Sequence, residues 1–137
     1  MKKIFIRYTI LGDQLNPNEI AKEIPLEAQI FQKNEIVPFK HPLSIQPKPQ
    51  KTNRWTYRWE STQKETVNQL IARMYKHLSP HLASIQKYAQ KHRALIDITI
   101  FEELPGAKWS VNISLSKKSI QIINLLMASL HIDYIDG

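Results

Sequence analysis

The sequence predicts an α+β domain: one mostly antiparallel sheet of five or six strands, with helices packed on one of its faces. Three observations carry this. Residues 4–11, 54–61, 95–101 and 109–115 alternate apolar and polar side chains at a period of two, as half-buried strands do. Val67, Leu70, Ile71, Met74 and Leu78 recur at helical spacing. The order of these segments suggests successive strand–helix–strand units, although no internal sequence repeat accompanies them.

Taken in order, Ile4, Ile6, Tyr8 and Ile10 give the first strand its apolar face, and Gly12-Asp13 ends it. Asn16-Pro17 reads as an N-cap followed by proline at the first helical position, and Pro25 stops that short helix. Residues 27–32 predict a second, short strand. Pro38, Pro42, Pro47 and Pro49 then alternate with Lys40, Lys48 and Lys51. Prolines remove ladder donors and fix φ, so residues 38–53 read as a loop or extended edge. Residues 54–61 form the next strand, with Trp55, Tyr57 and Trp59 on one face and Arg54, Thr56 and Arg58 on the other. Thr62 with Glu65 has the spacing of a capping box. Ser79-Pro80 restarts the helix, with Ser79 as its cap. Leu82, Ile85 and Ala89 line the buried side of that second part, opposite Ser84, Lys87, Tyr88 and Lys91. Ile96, Ile98 and Ile100 mark a further strand. Trp109, Val111, Ile113 and Leu115 mark another, with one wet face. Ser116 caps a last helix whose stripe is Ile120, Ile123, Leu126 and Met127, and residues 131–135 end the chain as a strand.

At 137 residues the chain has the size of one domain, residues 1–137. A domain this large buries roughly two-thirds of its unfolded surface. There is no cysteine, which excludes disulfides, thiolate nucleophiles and cysteine-ligated metals. The apolar run at residues 4–6 is broken by Arg7, too early for a signal peptide, and no run approaches the ~20 residues of a membrane span, so the expected location is the cytoplasm. Net charge is +7. Residues 40–93 hold 11 Lys/Arg against Glu60 and Glu65, a local +9, whereas the remainder is slightly acidic. Such a concentration favours an anionic partner.

The aromatic face of Trp55, Tyr57 and Trp59 allows two readings. Bases stacked on it would gain about 1–3 kcal/mol each. Burying three aromatics removes about 450–750 Å² from water, or ~11–19 kcal/mol gross as an upper bound. A marginally stable domain needs that burial, so these side chains are expected in the core. The opposite face would then gather Arg7, Arg58, Thr56, Asp97, Thr99, Lys108, Ser110 and Asn112, with Phe5 and Phe101 among them. Aromatics among charges on a sheet face suit a partner surface. His77 and His81 have the spacing of a helical metal pair, but Pro80 separates them and no third ligand accompanies them, so no metal is expected. His131 and Asp133 share a strand face and have the chemistry of an acid/base pair. No nucleophile elbow, P-loop or glycine-rich fingerprint supports an enzyme, and three glycines are too few to cradle phosphate with backbone amides. No cofactor is implied.

The run from Gly12 through Asn16, Pro17 and Glu19 to Ile20 resembles the strand-to-helix junction of the domain-of-unknown-function family 4279, small bacterial α+β domains. Trp59-Glu60-Ser61 with the helical pair broken at Ser79-Pro80 resembles that family's middle. Leu115-Ser116 through Ile120, with Leu130 to Tyr134, resembles its end. The Pro/Lys stretch at 38–53 departs from the pattern. The family brings no established activity. Some related small bacterial domains resemble immunity proteins that neutralise toxins.

The function expected is therefore a non-enzymatic protein-binding domain that docks an acidic protein surface. In its most concrete form it is an immunity protein occluding a toxin's active site, with cations steering association. Toxin nucleases tend to be basic, so the toxin would be acidic or not a nuclease. The expected partner-binding residues are Lys48, Lys51, Arg54, Arg58, Arg73, Lys76, Lys87, Tyr88 and Lys91. The alternative is a nucleic-acid-binding module using the same basic segment. A membrane partner is not expected.

Overall fold

A computed structural model describes residues 2–31, 36–37, 48–49, 52–62, 64–102 and 113–136. β1 (Lys2–Gly12) leads to α1 (Pro17–Glu23), then to β2 (Gln29–Phe31). Among the described residues, β3 (Ile36–Val37) and β4 (Lys48–Pro49) pair only with each other, in a separate ladder of two residues each. β5 (Asn53–Glu60) precedes α2 (Val67–Leu78), a 3₁₀ turn (Ser79–His81) and α3 (Leu82–Lys91). β6 (Arg93–Glu102), α4 (Lys117–Leu125) and β7 (Ala128–Asp136) complete the order.

The class is α+β, and the main sheet is mixed. Its order is β2-β5-β1-β6-β7. β1 lies at the centre, antiparallel to both β5 and β6, and β2 is antiparallel to β5. β7 runs parallel to β6. A parallel neighbour needs a crossover, which the segment containing α4 supplies. The strand expected at 109–115 falls mostly on residues outside those described.

One face of the sheet holds the core. Ile4, Ile6, Tyr8 and Ile10 of β1 are aligned with Trp59, Tyr57 and Trp55 of β5, and with Ile100, Ile98, Ile96 and Ala94 of β6. Trp55 and Trp59 are buried and Tyr57 half-buried, so the aromatic run serves the core. α1 packs over β5, α2 over β1 and β5, α3 over β6, and α4 over β7 and against α2. Each helix brings its stripe: Ile20, then Leu70, Ile71, Met74 and Leu78, then Ile85, then Ile122 and Ile123. Polar contacts pin the pieces. The Tyr8 hydroxyl donates to the Leu126 carbonyl at the end of α4 (2.9 Å), and burial pushes its pKa up. Asn68 of α2 donates to the Ser114 carbonyl and accepts from the Ser116 N–H and the Ser119 hydroxyl.

Four local expectations shift. The capping box of α2 is Thr66 with Gln69, four residues later than expected, while Thr62 and Glu65 close a turn of their own. Ser79 is the C-cap of α2 rather than the N-cap of α3, because the chain passes into α3 through the 3₁₀ turn. Tyr88 is buried beside Ile85 and Ala89, so it belongs to the inner side of α3. In α4 the inner stripe is Ser119, Ile122, Ile123 and Leu126; Ile120 and Met127 are exposed. The bonds from Ser119 to Asn68 and Ser116 fix that rotation. Asn16 and Ser116 cap α1 and α4 as expected.

Candidate partner-binding face

The sheet face away from the helices takes its residues from the alternate positions of the same strands. Arg7 of β1 stands directly opposite Arg58 of β5 and, on its other side, Asp97 of β6. Asp97 in turn stands beside His131 of β7. The next row is Glu60, Phe5, Thr99 and Asp133. On the other side of the arginine row, Thr56 and Thr9 pair, with their hydroxyl oxygens 2.8 Å apart and buried. Thr56 also donates to the Tyr8 carbonyl, so the shared proton comes from Thr9. Arg54 stands opposite Leu11.

Arg7 and Arg58 are exposed and Arg54 is half-buried. Directly opposed like charges on a sheet are destabilising. Burial, followed by the charge of Arg7, lowers the pKa of Arg54, while Asp97 opposes that shift. The Arg54 Nε is buried with no hydrogen-bond partner among the described residues. Burial raises the Asp97 carboxyl even though Arg7, His131 and Arg54 favour its ionised form. Two aromatics complete the face. Phe5 and Phe101 meet edge to face, with ring centroids 5.6 Å apart. The Arg58 guanidinium lies 5.0 Å from the Phe5 centroid, within cation–π range. Lys3 lies 5.8 Å from the same ring and pairs with Glu60 at 2.8 Å.

Seven of the nine expected binding residues divide between the two sides of the sheet. Arg54 and Arg58 lie on this face. Arg73 does not: its guanidinium holds Glu65 with two bonds of 3.0 and 2.8 Å and donates to the Glu60 carbonyl at 2.6 Å. That pairing keeps the Glu65 carboxyl below its usual range. Lys87 is held by Glu23 at 3.0 and 3.2 Å and lies 4.8 Å from the ring of the buried Tyr88. Lys76 and Lys91 are exposed on α2 and α3. The backbone of Lys48 lies in the short β3–β4 ladder, and Lys51 is outside the described residues, as are Lys108, Ser110 and Asn112.

Arg7 is the residue the expected set lacked. Its charge and its place in an alternating strand are visible in the sequence, but its position opposite Arg58 depends on the pairing register. His77 accepts a hydrogen bond at Nδ1 from the Trp59 indole (2.7 Å). No group of three metal-ligating side chains occurs among the described residues. A shallow groove of about 310 Å³ opens at the other end of the sheet, lined in part by Leu11, His92, Arg93 and Ser129.

Fold and face together define a small α+β domain that presents clustered arginines and phenylalanines on the side of its sheet away from the described helices. The chain belongs to the family Domain of unknown function (DUF4279), whose model matches residues 2–137. Comparison with curated proteins and with solved structures gives no match. No helix among the described residues is long and apolar enough to cross a membrane.

Proposed function

We propose that the chain is a non-enzymatic protein-binding domain that docks an acidic protein through the sheet face of Arg7, Arg54, Arg58, Phe5 and Phe101. The observation that carries this reading is the register of Arg7 opposite Arg58. Like charges at directly opposed sheet positions are destabilising, and an anionic partner relieves that cost. The face also combines arginine with aromatic rings, the composition in which binding hot spots are enriched. In its most concrete form the domain is an immunity protein whose face occludes the active site of an acidic toxin.

The expected result is a stoichiometric acidic partner captured from the native cells by the tagged protein. Arg7→Glu/Arg58→Glu should lose it, and Lys76→Glu/Lys91→Glu, on the helix side, should keep it. Co-expression of this chain should also relieve growth arrest caused by the captured partner. The reading fails if both double variants capture the partner equally. It fails equally if the protein binds nucleic acid at ~50 mM salt with a log–log salt slope near −4, as about six phosphates on a single strand would give.

A further inference from the structure

We propose that β7 is the interface of a two-fold homodimer, pairing antiparallel with β7 of a second copy about an axis at Ile132. β7 is nine residues long and hydrogen-bonds β6 along one side. Among the described residues no strand pairs with its other side, and Ser129, His131, Ile132 and Asp133 are exposed. Free edges are normally guarded by charged side chains, lysine above all, by proline, a bulge, a covering segment or shortness, and the charges β7 carries are the acids Asp133 and Asp136. Residues 128–136 contain no lysine, arginine, proline or glycine. The other edge strand, β2, has three residues. The large apolar side chains exposed among the described residues are Ile120, Leu125, Met127 and Ile132. All four belong to α4, β7 or the turn between them, so the apolar exposure is concentrated beside this one edge.

Symmetry selects both the occupant and the register. Two identical edge strands pair antiparallel about an axis perpendicular to the sheet, and each residue then keeps its face. A residue must therefore meet one of the same parity, and the axis passes through a residue rather than between two. The midpoint of β7 is Ile132, and only an axis there pairs all nine positions. In that register Ile132 meets Ile132, and Leu130 meets Tyr134. His131 of each copy stands opposite Asp133 of the other, so an imidazole N–H can donate to a carboxylate at two symmetric places. Moving the axis to Asp133 would oppose two carboxylates, and moving it to His131 would oppose two imidazoles. The edge is thus self-complementary in charge and shape in its fullest register, which favours a second copy over an unrelated strand.

The chain has no cysteine, so introduced thiols report cleanly. Residues opposed in an antiparallel pair have Cα atoms about 4.5–5.5 Å apart, within the span of a disulfide. Mild oxidation should convert Ile132→Cys to a covalent dimer. Ser129→Cys, whose opposite residue is Ile135, should form no covalent dimer under the same oxidation. In sedimentation equilibrium the wild type should reach twice 16.0 kDa. His131→Glu and Asp133→Lys should each shift it toward monomer, and the double variant His131→Glu/Asp133→Lys should restore the dimer. Circular dichroism of every variant separates loss of pairing from loss of fold. A wild type that stays monomeric at all concentrations, or folded single variants that dimerise as well as the wild type, would overturn the proposal.

Discussion

Asp97 is half-buried beside Arg7 and His131, and the balance of forces on it sets a testable sign. Burial raises its carboxyl above the usual aspartate range, and the nearby cations only partly oppose that. Desolvation therefore outweighs attraction. Between the unfolded and the raised folded pKa, the native state holds more proton than the unfolded one. Stability must fall as pH rises through that window. Asp97→Asn should raise the thermal midpoint at neutral pH and remove this part of the pH dependence. A lower midpoint at neutral pH would show that the pairing with Arg7 dominates. Glu65 behaves in the opposite way. Arg73 holds it low, so its contribution is present above its unfolded pKa and is lost as pH falls through the folded one.

Among the elements, the turn from α4 into β7 stores strain. Met127 has φ 54°, in the left-handed region, while its N–H donates to the Asn124 carbonyl and Leu126 closes on Ile122. Glycine is the usual residue at such a helix end, because a Cβ there costs roughly 1–2 kcal/mol. The Met127 side chain is 43% exposed and offers little packing in return. Met127→Gly should therefore stabilise the fold by about 1 kcal/mol, less the extra entropy glycine brings to the unfolded chain. Denaturant midpoints at unchanged slope would measure it; an unchanged or lower midpoint would mean that the exposed side chain contributes more than its area implies.

The same elements show what a sequence can and cannot specify. Helix starts at Asn16 and Ser116 were legible because a cap is a local hydrogen bond. The start of α2 was displaced because Thr62–Glu65 and Thr66–Gln69 share one spacing, and only the Arg73–Glu65 pair separates them. The rotation of α4 depends on Asn68, fifty-one residues from Ser119, which no periodicity reports. Trp55 and Trp59 were legible as core from their area alone. The face opposite them was legible as a list of residues. Its geometry was not, because Arg7 meets Arg58 through register, and because Arg73 and Lys87 spend their charge on acids eight and sixty-four residues away.

For the whole molecule, the question is whether its charges hold it together or push it apart. Net charge is +7; on one face Arg7 and Arg54 share Asp97 as a near counter-charge, while the charge of Arg58 acts on Glu60. Lys3–Glu60 and Lys87–Glu23 lie in solvent, where screening removes most of their attraction. Arg73–Glu65 is two-pronged and partly shielded, so salt weakens it least. Repulsion, both global and between Arg7 and Arg58, is then what salt chiefly relieves. Raising sodium chloride from ~0.01 to ~1 M shortens the screening length from about 30 to about 3 Å. Over that range the unfolding midpoint should rise, and Arg58→Thr should be more stable at low salt and gain less from it. Sodium chloride is the right salt for the measurement, since sulfate or phosphate would strengthen burial directly. A midpoint that falls with salt would mean that the ion pairs outweigh the arginine repulsion. The face of Arg7 and Arg58 would then lose the unfavourable energy that makes it a binding surface for an anion.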